Sequence, residues 1–232
     1  MIDATDARTA LIDSKIRRSQ KIVRLIIWLT VPVMFLTLVL AWVFYAESYE
    51  FIYEMISALG NIYSFDLNND NTVSMLIMTI GFSISAFMNL VIAIFYFIRP
   101  VLKNNILKGF LYIIVSVGAA GIAIPGDHPT LSLYHSIGSI MFIFGFAMVN
   151  FVSQLLRFAR KHDLKFEKKP LDFYLDMVVV ALVFSVMIIL GIFYILDKTI
   201  GFTGPAFTVP LWQKILLIVD FIAIFVLDLD DM

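Results

Sequence analysis

The stretch IVRLIIWLTVPVMFLTLVLAWVFYA, Ile22 to Ala46, decides the architecture. After Arg24 it carries no charged side chain, and coiled as a helix at about 1.5 Å per residue it outreaches the hydrocarbon core of a bilayer, about 30 Å thick. Five further runs of this kind follow, at about 73–98, 106–125, 133–156, 174–196 and 211–228, each bounded by charge or turn residues. The reading is an all-α integral membrane protein with six transmembrane helices. A cytoplasmic segment (1–21) precedes the six-helix domain (22–228), and a short acidic tail (229–232) follows it.

Composition agrees with the pattern. Of 232 residues, 61% are hydrophobic and 15% charged, and mean hydropathy is +0.93. A soluble domain carries about 25% charged residues. In lipid each backbone polar group must be satisfied inside its own segment, which a helix does. The chain has no cysteine, which excludes disulfides, thiolate catalysis and cysteine-held zinc or iron–sulfur centres. The start, MIDATDART, is acidic and leads through Arg17 and Arg18 into the first run, so that run is expected to be retained rather than cleaved as a signal.

Basic residues set the expected orientation. Arg8, Lys15, Arg17, Arg18, Lys21 and Arg24 precede span 1; Arg99, Lys103 and Lys108 follow span 2; Arg157, Arg160, Lys161, Lys165, Lys168 and Lys169 follow span 4. Only Lys198 and Lys214 of the 17 remain for the other side, while the first loop there carries Glu47, Glu50, Glu54, Asp66 and Asp70. Both termini are therefore expected in the cytoplasm. The expected location is the cell membrane, with an internal membrane as the alternative.

Polar side chains inside the spans are the next candidates, because a charge at mid-bilayer costs about 2.5–3.5 kcal/mol on insertion scales and needs a partner. Asp220 stands ten residues into span 6 with no base at helical spacing. It reads either as a proton or cation site or as a hydrogen-bonded carboxyl that pins span 6 to a neighbour. Gly81, Ser85 and Asn89, at four-residue intervals, form a stripe on span 2; Ser116 to Gly121 and the set His135, Gly138, Ser139 and Gly145 form similar features on spans 3 and 4. Small and polar residues so spaced allow close helix approach and hydrogen bonds in lipid. A lipid or partner groove is the second reading, with Ser57, Gly60, Ser85, Asn89, Gly138, Ser139 and Asp220 as contacts.

Two outer loops carry potential metal or acid–base groups. GDHPTLSLYH, residues 126 to 135, joins spans 3 and 4, and its Gly and Pro residues suit a helix reversal. Asp127, His128 and His135 are not required by a turn. They are competent ligands or catalytic groups, but no HExxH-type spacing is present, and a hydrogen-bonded interfacial cluster that closes the outer face is the expectation. In Asp66 to Ser74, the residues Asp66, Asn68 and Asp70 alternate as in a calcium loop, but Asn71 replaces the turn glycine and Ile77 the bidentate glutamate. A solvated turn is the expectation there, and no cofactor is expected.

The ISALG element, Ile56 to Gly60, and the segment GIAIPGDHPTLSLYHSIGSIMFIFG leading into span 4 carry a resemblance. Ser57 with Gly60, and His135 with Gly138 and Ser139, resemble the two short motifs of the six-span Frag/DRAM/Sfk family and its prokaryotic relatives, the domain of unknown function 998 group. Ala58 stands where an acidic residue is common in that family, and the Asn-Phe-Gln type ending of span 3 is absent. The resemblance implies six spans and a link to lipid remodelling or membrane organisation. The expected function is non-enzymatic: binding or organising lipid, or scaffolding membrane partners. Lipids, other membrane proteins or a second copy of the chain are the expected partners, and nucleic acid is not. The alternatives are an intramembrane lipid hydrolase or acyltransferase built on Asp127, His128 and His135, with Ser57, and a small transporter or channel built on Asp220.

Overall fold

A computed structural model describes residues 4–64, 69–161, 171–201, 204, 206–227 and 231, with side chains from Ser14 onward. Asp66 and Asn68, of the loop that alternates as a calcium loop does, lie outside the described residues. Among the described residues the fold is all-helical, with six helices long and apolar enough to cross a membrane. They are α1 (Ala4–Val43), α2 (Thr72–Ile98), α3 (Asn105–Ile122), α4 (Ser132–Lys161), α5 (Leu171–Ile200) and α6 (Val209–Val226).

Local chemistry explains the boundaries. Nothing between Ala4 and Lys21 breaks a helix, so α1 begins well before its apolar run. Pro100 disfavours helical geometry at Arg99, and α2 stops at Ile98. Asn104 takes the left-handed conformation (φ 52°) that reverses the chain into α3. Thr208 caps α6, its Oγ1 accepting the Leu211 N–H at 3.3 Å.

Helices α1 to α4 pack as consecutive antiparallel neighbours, and α6 returns to touch α4 and α1. The core holds Met34, Met78, Ile92, Val115, Phe142 and Leu216, all almost wholly buried. Phe82 and Phe142 meet edge to face at 5.3 Å. Outward-facing Leu36, Phe87, Phe110, Ile195 and Ile222 make the apolar surface that a bilayer requires.

The tightest interface is α3 against α4. A Cβ on Gly118 would lie 2.3 Å from the Phe142 backbone nitrogen, and one on Gly121 2.6 Å from Gly138 Cα. Glycine here allows backbone-to-backbone contact. By contrast α5 touches only α4 and α6 to any extent, and its buried residues are Asp176, Val183, Val186, Met187 and Leu190. This loosely seated helix leaves room beside it.

Candidate functional site

The connections after α1, α3 and α5 gather at one end of the bundle, here termed the long-loop end. Ile56–Gly60 forms one 3₁₀ turn, closed by Ala58 N–H to Met55 C=O (3.0 Å) and Asn61 N–H to Ala58 C=O (3.1 Å). It is fastened from three sides. Asn71 Nδ2 donates to the carbonyls of Leu59 (3.2 Å) and Asn61 (2.9 Å). Ser74 Oγ lies 2.7 Å from both Ala41 O and Leu59 O. Gln213 Oε1, on α6, accepts the Ile56 N–H at 3.1 Å.

Glu54 anchors the strand of chain before this turn. Its carboxylate accepts from Tyr45 Oη (2.9 Å) and Glu50 N–H (2.6 Å), and its carbonyl accepts from Tyr49 Oη (3.0 Å) and Lys214 Nζ (2.6 Å). Burial, with the Glu54 charge beside it, pushes the Tyr49 phenol above its ordinary pKa, so it remains a donor. Thr208 Oγ1 ties the α5–α6 connection in by donating to Ile52 O at 2.6 Å.

GDHPTLSLYH closes over this platform. Asp127 accepts two backbone N–H groups, from Ile62 at 2.8 Å and Tyr63 at 2.9 Å, which joins the α3–α4 connection to the first loop. His128 stays within its own turn, with Nδ1 3.3 Å from the Thr130 N–H. His135 turns inward and is 6% exposed. Its Nδ1 is 2.5 Å from Ile124 O; a carbonyl can only accept, so Nδ1 carries the proton and Nε2 keeps a lone pair in the neutral ring. Removing this ring in His135→Ala leaves the Ile124 carbonyl without its donor, at a cost of about 1–3 kcal/mol. His135→Gln, which keeps a donor, is expected to recover part of the lost melting temperature in detergent.

Two adjoining cavities open here. One, of about 800 Å³, is rimmed by Glu54, Asn61, Asp127, Asp197 and Thr208. The other, of about 240 Å³, descends along Ile140, Ile143, Phe144, Leu190 and Tyr194. Both are lined by Met55, Ser57, His135 and Val209, which form the passage from the polar to the apolar chamber. Ser139 Oγ is buried in the lower chamber with no hydrogen-bond partner. Gln213 lines it too.

The sequence candidates therefore divide. Ser57, Asp127, His135 and Ser139 line these cavities; His128 does not. Gly60 rests on Met78, and Gly138 faces Gly121. Ser85 and Asn89 belong to α2 packing, where Asn89 Nδ2 donates to Ser85 O at 2.8 Å. Asp70 starts α2, accepting from Thr72 N–H at 3.0 Å and Thr72 Oγ1 at 2.5 Å, and these bonds hold its carboxyl below the usual range. Among the described residues no three His, Asp or Glu side chains are grouped as a metal would need.

Asp220 lies elsewhere, wholly buried between α6 and α4. Asn150 Nδ2 donates to its Oδ1 and to its backbone carbonyl, each at 2.9 Å, and one turn on Gln154 Nε2 donates to Ala223 O at 2.5 Å. The carboxyl is thus bound to an amide rather than a base. Ser74 and Gln213 carry no sequence signal of this role, while Glu54 is legible only as one of the acidic residues of the first outer loop and Asn71 only as the residue in place of a calcium-loop glycine.

Comparison of the chain with protein-family models, curated proteins and solved structures gives no match.

Proposed function

We propose that this polytopic membrane protein binds a lipid-like amphiphile in the cleft between α4, α5 and α6 at the long-loop end. The observation that carries the reading is the polarity of the two joined chambers: carboxylates and amides at the mouth, aliphatic and aromatic side chains below. Binding sites for small molecules have this form, mostly apolar with a few placed polar groups. His135 Nε2 as acceptor and Ser57 and Ser139 as hydroxyls supply the polar contacts at the neck. The basic-residue asymmetry supports cytoplasmic termini and hence a cleft in the outer leaflet. The motif residues Ser57, His135 and Ser139 all line the cleft, so the resemblance to lipid-linked Frag/DRAM/Sfk proteins supports the same reading.

The test is native mass spectrometry of the gently purified full chain after exposure to a membrane lipid extract. A phenylalanine at position 139 fills the lower chamber. If it excludes two methylenes of a bound tail, at about 0.8 kcal/mol each, Ser139→Phe lowers occupancy about tenfold. The melting temperature should hold. Equal lipid retention by Ser139→Phe and the unmodified chain would remove the cleft from the argument.

A hydrolytic second reading has one observation behind it: the Ser57 hydroxyl and the His135 ring line the same neck. Release of a fatty acid from the bound lipid, abolished in Ser57→Ala, would favour it over binding alone.

A further inference from the structure

The opposite end of the bundle holds another pocket, separate from the cleft at the long-loop end. A cavity of about 520 Å³ is lined by Lys103, Asn104, Lys108, Ser153, Arg157, Arg160 and Asp231. Two of its cations are deeply buried: Lys108 is 2% exposed and Arg157 7%. Removing cations from water is costly, and such groups persist where anions meet them.

Asp231, which lies beyond the end of α6, meets both, by its carboxylate at Arg157 and by its backbone carbonyl at Lys108. Arg160 reaches its Oδ1 at 2.5 Å, Arg157 Nε lies 3.6 Å from its Oδ2, and Lys108 Nζ donates to its backbone carbonyl. Three cations on three helical positions thus converge on three oxygens of one residue. At 3.6 Å the Arg157 Nε contact is an ion pair without a hydrogen bond, and that buried nitrogen is left with no acceptor. Asp231 fits the site incompletely.

Charge points the same way. Arg157 also pairs with Asp176 (2.7 Å), and Lys161 lies 3.0 Å from Asp176 and 4.0 Å from Asp172. Among the described residues that line the cavity, Lys103, Lys108, Arg157 and Arg160 are cationic and Asp231 alone is acidic. A guanidinium offers planar paired donors that match phosphate oxygens, and lysine adds a point charge.

We propose that this cavity is a phosphate-binding site, in which the Asp231 carboxylate is the resident anion that a phosphate group replaces. Phosphate supplies an oxygen for each of Arg157 Nε, Arg160 and Lys108 and carries more charge than the single carboxylate. Exposed Lys103, at the cavity edge, adds attraction. The phosphate belongs either to a lipid headgroup, which the membrane-end position favours, or to a soluble phosphate compound.

Equilibrium binding to the purified full chain in uncharged detergent decides the matter, with inorganic phosphate, dihexanoyl phosphatidic acid and dihexanoyl phosphatidylcholine as probes. Saturable binding of phosphatidic acid alone assigns the site to lipid, and comparable binding of inorganic phosphate assigns it to a soluble compound; both support the proposal. Arg160→Gln and Lys103→Gln should each weaken binding, the former about ten- to hundredfold, the equivalent of one charged hydrogen bond. Asp231→Asn should tighten it, because the competing charge is gone. Lys103 is exposed, so its variant reads binding without disturbing the buried network. Failure of both anionic probes to bind, equal binding of phosphatidylcholine, or an affinity indifferent to Lys103→Gln and Asp231→Asn overturns the proposal.

Discussion

Gly121→Val is expected to prevent recovery of a folded six-helix bundle, or to lower its stability by about 3 kcal/mol or more. Overpacking a well-filled interior costs about 1–3 kcal/mol when side chains can shift, and more when they cannot. Here they cannot. The atoms that a Gly121 Cβ meets are Gly138 Cα at 2.6 Å and Tyr134 O at 3.0 Å, both backbone, so only separation of α3 from α4 relieves the contact. Separation would also strip Val115 and Phe142, both fully buried, of their packing. Gly191→Ala provides the contrast. A Cβ there touches only the Phe144 ring, at 3.7 Å. In mid-helix that change removes glycine's entropic penalty of about 0.5–1 kcal/mol, so the melting temperature should stay level or rise. Thermal unfolding of both variants in one detergent makes the comparison. A Gly121→Val protein that melts like Gly191→Ala would show that α3 and α4 do not meet through these glycines.

The second large effect is expected at the basic end. Arg157 and Asp176 pair at 2.7 Å with 7% of each side chain exposed. Breaking a buried pair by removing one member costs about 3–5 kcal/mol, because the other charge stays desolvated, whereas replacing both by apolar groups of similar size is often neutral. Arg157→Met should therefore melt far below the unmodified protein. Arg157→Met with Asp176→Leu should recover much of the difference, less the share that Arg157 contributes through Asp231. Asp176 retains Lys161 at 3.0 Å, which limits the single-variant loss to the lower part of that range. A double variant no better than the single would mean that the pair is not the unit of stability at this end.

Particular residues show how far the sequence could be read. Asp220 was legible as a buried carboxyl in need of a partner; that the partner is Asn150 was not, since 70 positions separate them. The small-residue stripes of spans 3 and 4 were recognisable as contact faces. Which stripe met which helix was not, and Ser139, on the span 4 stripe, turned out to line the cavity instead. His128 and His135 looked equivalent in GDHPTLSLYH. The first bonds within its own turn, whereas the second turns inward, 6% exposed, with its Nδ1 on the Ile124 carbonyl.

Sequence alone determined the helices: six runs of apolar side chains, long enough for a bilayer, fold as helices because lipid offers the backbone no other hydrogen-bond partner. It also marked the basic and acidic ends, since charge stays in water whatever the packing. Tertiary structure alone decided the two pockets. Each is assembled from side chains on separate helices and connections, Ser57 with His135 and Gln213 at one end, Lys108 with Arg157 and Asp231 at the other. In lipid, apolar faces are interchangeable, so a hydrophobic pattern specifies that a helix spans but not which neighbour it meets; that choice falls to the close fit of small residues and the pairing of buried polar groups.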